Sequence, residues 1–150
     1  LVFDFRFAAL HGPFSFVPDA VAHFRPRSSL RAFWKQYYLY ARGDGKAGLF
    51  LRRHLIRYLA YLALLPLILL SAVWFSPWWL ILLAVGGLLM VARPYRRLLH
   101  QWHGLTAQEK LIALAWVPMI RLAGDLAKIA GYPPGVVWRF RHTPPDWHIR

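Results

Sequence analysis

Cysteine is absent from the sequence, and only six of its 150 residues are acidic. Without cysteine the chain can form neither disulfide bonds nor thiolate metal sites. Because 19 residues are lysine or arginine, the shortage of acids leaves a formal net charge of +13, which favours an anionic partner. Charge itself is absent from one long stretch, residues 58–92, which contains no Asp, Glu, Lys or Arg.

The uncharged stretch predicts a membrane hairpin. One crossing of a bilayer takes ~20 apolar residues, and Ser76-Pro77 interrupts the stretch near its middle. Since proline is favoured in the first turn of a helix, we expect one spanning helix over about 56–75 and a second over about 78–93. A buried hairpin in a soluble protein is the alternative, but a chain of 150 residues has little interior in which to hide it.

Basic residues flank both ends of this hairpin. They are Arg52, Arg53, His54 and Arg57 before it, and Arg93, Arg96 and Arg97 after it. The turn instead carries residues that favour the membrane–water interface, namely Trp74, Trp78 and Trp79. Because Arg and Lys collect on the cytoplasmic side of short segments, both ends are predicted to be cytoplasmic. The basic flanks favour membrane lipids, and not nucleic acid, as the anionic partner.

Short strands are predicted near the start of the chain. Residues 14–17 and 20–24 form two β-like runs separated by Pro18-Asp19. An isolated pair of strands is marginal in water. The runs are therefore interpreted as the last strands of a larger sheet.

Helices are predicted to follow these strands. From Leu30, apolar and aromatic residues recur at helical spacing to about Arg42, with Ser28 or Ser29 as the N-cap. Gly43-Asp44-Gly45 is the predicted interruption. A second short helix, over residues 47–54, is predicted to lead into the first span.

The region after the hairpin is predicted to form an amphipathic helix. Thr106-Ala-Gln-Glu109 is a capping box that opens a helix over about 107–130, with a kink at Pro118. Its charged residues gather toward one side, namely Lys110, Arg121, Asp125 and Lys128. This stripe favours a helix lying in the membrane interface over a third span. Gly131-Tyr-Pro-Pro134 is the predicted end, and residues 136–150 are predicted to be an irregular tail at the membrane.

The order of features up to the hairpin resembles the C-terminal part of bacterial family 2 glycosyltransferases. The resemblance lies in Phe-Val-Pro-Asp-Ala-Val-Ala-His (16–23), the basic loop after it, and Ser-Leu-Arg-Ala-Phe-Trp-Lys-Gln-Tyr-Tyr-Leu-Tyr-Ala-Arg-Gly-Asp-Gly-Lys (29–46). These are inverting enzymes with a nucleotide-sugar-binding α/β domain of the GT-A type and C-terminal membrane helices. Phe3, Arg6 and Phe7 match positions that follow the family's acidic Glu-Asp pair. The catalytic carboxylates are therefore expected immediately before Leu1, and no catalytic residue is expected within the chain.

The resemblance implies a divalent metal, Mg or Mn, in the complete enzyme, although none is expected to be held by this part alone. It places His23 near the metal and the diphosphate of the sugar donor; a half-buried histidine at a strand end is the alternative. Arg25 and Arg27 precede a helix N-terminus, an arrangement that suits phosphate oxygens. Simple attraction to the membrane surface is the alternative explanation for the same two arginines, and the one slightly favoured.

A second group of candidate site residues lies on the predicted helix from Leu30. Processive members of the family use Gln-x-x-Arg-Trp to bind the acceptor and the leaving group. Gln36 and Tyr40 take the first and last positions, Leu39 stands at the arginine position, and Arg42 is nearby. The departure at Leu39 weakens the processive interpretation, and an aromatic stripe that serves packing alone is the alternative.

The predicted fold class is a mainly α membrane protein, in which interfacial amphipathic helices flank a two-helix hairpin and a short β remnant of a GT-A domain comes first. The predicted segments are 1–27, 28–54, 55–93 and 94–150. The predicted function is to anchor, at the bacterial inner membrane, an enzyme that moves a sugar from a nucleotide-sugar donor to a lipid-linked or polysaccharide acceptor. The alternative is a non-enzymatic scaffold that binds anionic lipid through its basic flanks.

Overall fold

The computed structural model of the protein describes residues 2–143, including every side chain in this range but those of Val2, Phe5 and Arg6. This part of the chain is mainly helical, as predicted. Its α-helices, in chain order, are α1 (Val2–His11), α2 (Leu30–Ala47), α3 (Leu51–Trp74), α4 (Leu80–His100) and α5 (Ala107–His142). Short 3₁₀ turns at Pro77–Trp79 and Trp102–Gly104 precede and follow α4.

Helices α3 and α4 are long and apolar enough to span a membrane. The segments Leu51–Trp74 and Pro77–His100 each contain 24 residues, with mean hydropathies of 2.0 and 1.5 over their most apolar windows. At 1.5 Å per residue each reaches about 36 Å, more than the ~30 Å of a bilayer's hydrocarbon core. Only 6% and 0% of those windows are buried inside the protein. Because a core helix of a soluble protein would be mostly buried, this exposure supports the membrane interpretation.

The turn of the hairpin lies where the sequence predicts it. Ser76 is extended, and its hydroxyl accepts a hydrogen bond from the Trp78 N–H at 3.4 Å as Pro77 begins the next turn. The predicted boundaries away from the turn are wrong. Helix α3 already begins at Leu51 and is not preceded by a separate helix over 47–54, and α4 continues beyond residue 93 to His100.

The middle of α3 contains a π-helical stretch, Leu59–Leu64. Pro66 lies two residues after its end and has no N–H with which to bond the Leu62 carbonyl. A wider turn before a proline lets the helix continue while its ring avoids the preceding carbonyl. The helix therefore crosses Pro66 without ending.

Helix α5 begins as predicted and ends much later than predicted. The Thr106 hydroxyl accepts from the Glu109 N–H at 3.3 Å, and the Glu109 carboxylate accepts from the Thr106 N–H at 2.8 Å. The helix then runs 36 residues to His142, through Pro133 and Pro134. The predicted end at residues 131–134 is therefore wrong, and so is the irregular tail as far as residue 142; residues 144–150 lie outside the described part.

Helices α2 and α5 pack so closely that their backbones touch. A Cβ atom added to Gly45 would lie 2.5 Å from the Tyr132 carbonyl oxygen, and Cβ atoms on Gly131 and Gly135 would overlap carbonyl groups of α2. The Arg139 side chain of α5 also donates to the Lys46 carbonyl at the C-terminus of α2. Glycine is thus required here for close approach, as at small-residue contacts between membrane helices.

This contact explains why α2 does not stop at Arg42. The predicted interruption at Gly43-Asp44-Gly45 is wrong, because these residues continue the helix to Ala47. Gly48 follows the end of α2, and its φ of 69° is the left-handed conformation that glycine adopts without strain.

The predicted β remnant is not present. Within residues 2–143 no strand is formed: α1 occupies the start of the chain, and residues 12–29 are irregular. The aromatic side chains of this region contact one another locally, as in the stacking of Phe7 on Phe14 at 5.5 Å between ring centroids. Residues 14–17 and 20–24 have no neighbouring strand in the described part with which to share hydrogen bonds, so their alternating pattern does not produce a sheet.

Candidate functional site

A cavity of about 650 Å³ opens where α2, α5 and the first turns of α3 meet. Its lining combines cationic groups with aromatic rings. The cations are Arg53, Arg57 and Lys128, and the rings include Tyr37, Tyr40, Phe50 and His54. Asp44 is the acidic residue of the lining. Because α3 becomes apolar immediately after Arg57, the cavity lies at the point where this helix would enter the membrane.

His54 forms a buried polar contact in the lining of the cavity. The residue is only 2% exposed, and its Nε2 lies 3.4 Å from a carboxylate oxygen of Asp44. Its ring stacks on Tyr132 of α5, with 3.9 Å between the centroids. Burial raises the pKa of the Tyr132 hydroxyl, and the charge of Asp44 raises it further, while Arg139 opposes the change. The His54 Nδ1 is buried and has no hydrogen-bond partner among the described residues.

A second polar cluster surrounds Asp125 on α5, which is 3% exposed. One carboxylate oxygen accepts from the Arg57 Nε at 3.1 Å, and the other lies 3.5 Å from an Arg121 nitrogen. The Tyr61 hydroxyl donates to the same carboxylate at 3.3 Å. A buried carboxylate costs free energy unless it is paired, and here it is shared by two guanidinium groups. The cluster therefore keeps an excess of positive charge beside the apolar part of α3.

Lys128 connects the cavity with a smaller one of about 340 Å³ between α2, α4 and α5, because it lines both. Its ammonium group lies 4.7 Å from the centroid of the Tyr37 ring, within the range of a cation–π contact. Burial lowers the pKa of this ammonium, and the charge of Arg57 lowers it further, while Asp125 opposes the change. Such a partly desolvated cation interacts more strongly with an anion than one in free solution does.

Three of the predicted site residues are brought together. The Arg27 Nε donates to the Gln36 amide oxygen at 3.1 Å, and the Gln36 amide nitrogen donates to the Tyr40 hydroxyl at 2.7 Å. Tyr40 and Leu39 also line the main cavity. The chain of hydrogen bonds therefore extends from the loop before α2 to the rim of the cavity.

The other three predicted residues lie elsewhere. His23 and Arg25 are exposed in the irregular segment before α2 and do not line the main cavity. Arg42 packs against α5, where its carbonyl group meets Gly135, and its Nε is buried without a partner among the described residues. The described part of the chain contains no group of three or more metal-ligating side chains. The role of His23 at a metal stays a prediction.

No family model, curated protein or solved structure matches this chain. The resemblance to family 2 glycosyltransferases is therefore carried by the residues quoted above, and the site has to be interpreted from its own geometry.

Sequence reasoning missed the residues that form the two polar clusters. His54 was interpreted only as part of a basic flank, and Asp125 and Lys128 only as part of an amphipathic stripe. One signal could have found two of them: Asp125 and Lys128 lie one helical turn apart within residues 122–138 of α5, which contain no other charged residue. Their partners on α2 and α3 lie at least 64 residues away in sequence, and no local pattern indicates which residues those are.

Proposed function

We propose that this chain is the membrane-anchoring part of a family 2 glycosyltransferase and that its main cavity holds a phosphate-bearing substrate at the cytoplasmic surface of the bacterial inner membrane. The observation that carries the proposal is the position of the cavity, which lies at the start of α3, a helix long enough to span a bilayer. Three cations line this cavity, namely Arg53, Arg57 and Lys128. Guanidinium and ammonium groups are the side chains that bind phosphate oxygens.

The hairpin supports the orientation. A hairpin returns its two ends to the same side, and arginines stand at both of these ends and not at the turn. The positive-inside rule therefore favours a cytoplasmic location for the cavity. Nucleotide sugars are cytoplasmic substrates of the enzymes that the sequence resembles, so the cavity would face the compartment that supplies them.

The hydrogen-bonded chain from Arg27 to Tyr40 supports a role in binding substrate. In the family motif Gln-x-x-Arg-Trp the arginine supplies a cation beside the glutamine, and this chain has Leu39 instead. Leu39 lines the same cavity as Arg53 and Lys128. We propose that these two cations take the place of the missing arginine. The catalytic carboxylates and the divalent metal would come from the GT-A domain, which the resemblance places before Leu1.

A non-enzymatic scaffold that binds anionic lipid is the second candidate function. The observation that favours it is the distribution of charge around the hairpin. Several flanking arginines are exposed and line no cavity described above, namely Arg52, Arg93 and Arg96. Such residues suit a lipid surface, worth about 1 kcal/mol each.

Turnover by the protein expressed from its complete reading frame tests the proposal. Arg27→Ala, Gln36→Ala and Lys128→Met should each lower turnover while the protein stays in the membrane fraction. The loss of a hydrogen bond to a charged group costs about 1.5–3 kcal/mol, which is roughly ten- to hundredfold in rate where the bond forms in the transition state.

Arg141→Ala is the matched control, because Arg141 is an exposed arginine in the last turn of α5 and does not line the main cavity. Its turnover should equal that of the unmodified protein. If all four variants behave alike, the residues form only a basic collar at the membrane. If no nucleotide sugar is ever turned over, the scaffold is the better explanation.

A further inference from the structure

A groove of about 690 Å³ lies between α3 and α4 and meets α5 at one end. Its walls are apolar along most of their length, including Leu64, Leu65, Ile68, Leu82 and Leu83. Charged groups occur only at the α5 end, where Arg57, Arg121 and Asp125 line it. We propose that one anionic phospholipid binds here, with a hydrocarbon chain between α3 and α4 and its phosphate at Arg121, beside the Arg57–Asp125 pair.

The length of the groove fits one leaflet. On α3 it extends from Arg57 to Ile68, and eleven residues of helix measure about 16 Å. Half of the hydrocarbon core of a bilayer is ~15 Å. A lipid chain whose phosphate lies level with Arg57 would therefore end near Ile68, at the middle of the membrane.

The charges at the end of the groove favour an anionic head group over a zwitterionic one. Arg57 and Arg121 share one carboxylate, with the Arg57 Nε 3.1 Å and the Arg121 nitrogen 3.5 Å from its two oxygens. The lining therefore has a net charge of +1. Arg121 is the more accessible of the two, with 42% of its side chain exposed, so it can turn toward a phosphate while Arg57 holds the carboxylate.

Glycines provide the space for the chain. Gly86 and Gly87 of α4 line the groove, and a Cβ atom added to either would meet nothing within 4 Å. They do not serve close helix packing, unlike the glycines between α2 and α5. A larger side chain at Gly87 would instead extend into the groove without disturbing a helix contact.

The inference goes beyond the proposed function, since it requires the hairpin and the Asp125 cluster but no sugar transfer. The test measures whether lipid occupies the groove. A negative result can therefore be distinguished from a loss of turnover, which would count against the proposed function. Because the chain contains no cysteine, one fluorophore can be attached at one introduced position. Leu83→Cys places it in the groove, and Leu67→Cys places it at a similar depth on α3, at a residue that is 58% exposed and does not line the groove.

The labelled proteins are placed in phosphatidylcholine nanodiscs that contain a small, equal amount of either brominated phosphatidylglycerol or brominated phosphatidylcholine. Bromine on the lipid chains quenches a fluorophore that they touch. At Leu83→Cys we expect the quenching to show that phosphatidylglycerol binds about fivefold or more in preference to phosphatidylcholine. One cation near the membrane surface contributes roughly that factor to the affinity. At Leu67→Cys both lipids should quench equally.

Three further substitutions, made in the Leu83→Cys protein, test the site in different directions. Arg121→Gln should reduce the preference, and Asp125→Asn should increase it because both guanidinium groups are then free for the phosphate. Gly87→Leu should abolish it by filling the groove. Arg141→Gln removes an exposed arginine in the last turn of α5 that does not line the groove and should change nothing.

Equal quenching by both lipids at Leu83→Cys would overturn the proposal, and so would a preference that survives Gly87→Leu. The same preference at Leu67→Cys would mean that anionic lipid only surrounds the hairpin. Disulfide formation between two unlabelled Leu83→Cys chains that does not depend on the lipid would mean that a second copy fills the groove. Loss of the preference on adding glycerol phosphate would assign the cations to a free phosphate compound.

Discussion

Two glycines on α2, two positions apart, should respond to the same substitution in opposite ways. Gly45 faces α5, where an added Cβ would lie 2.5 Å from the Tyr132 carbonyl oxygen and 2.8 Å from the Val136 nitrogen. Gly43 is exposed, and an added Cβ would meet nothing within 4 Å. Gly45→Ala should therefore destabilise the α2–α5 pair, whereas Gly43→Ala should stabilise α2.

The difference in stability between the two variants follows from two contributions to the free energy of unfolding. Replacing glycine by alanine within a helix stabilises it by about 0.5–1 kcal/mol, and both variants gain this term. Only Gly45→Ala adds the cost of overpacking, typically about 1–3 kcal/mol. Ordinary contacts to a Cβ begin near 3.4 Å, and the opposing atoms are backbone atoms that cannot rotate away. The helices must therefore separate, which also loosens the stacking of His54 on Tyr132.

Thermal unfolding of both variants in the same detergent, followed by circular dichroism, measures this difference. Gly45→Ala should unfold at a lower temperature than the unmodified protein and Gly43→Ala at an equal or higher one. For a chain of this size 1 kcal/mol corresponds to about 2–4 °C. An equal upward shift for both variants would refute the close approach of α2 and α5 at Gly45.

Two further predictions concern the hairpin and the start of α5. Reporter enzymes fused at Arg53 and at His100 should both report the cytoplasm; opposite locations would mean that only one helix spans the membrane. Hydrogen bonds from the backbone and hydroxyl of Thr106 lower the pKa of Glu109 below its ordinary 4.5. The capping box should therefore stabilise α5 fully above pH 4.5. It should lose this effect as the pH falls through the lowered pKa. The unfolding temperature of Glu109→Gln should therefore fall less than that of the unmodified protein on acidification, and parallel curves would contradict the role of this carboxylate.

The sequence by itself determined the features that depend on neighbouring residues and on the solvent. An uncharged stretch of membrane length must satisfy its backbone within itself, so it forms helices wherever it crosses lipid. Pro77 favours the turn because proline suits the first turn of a helix and disfavours helical geometry in the residue before it, here the extended Ser76. The capping box at Thr106 works within one helical turn. These parts were predicted correctly without knowledge of any distant contact.

Only the tertiary structure decided where α2 and α5 end and which polar residues meet. Gly43-Asp44-Gly45 and Gly131-Tyr-Pro-Pro134 are turn signals when considered locally, yet both lie inside helices because the two glycine-rich segments pack against each other. Residues 14–17 and 20–24 show the converse: a strand pattern produces no sheet when no partner strand lies beside it. The pairing of Arg57 with Asp125 joins residues 68 positions apart. Such contacts depend on how whole helices pack, and that packing is not determined by any one stretch of the sequence.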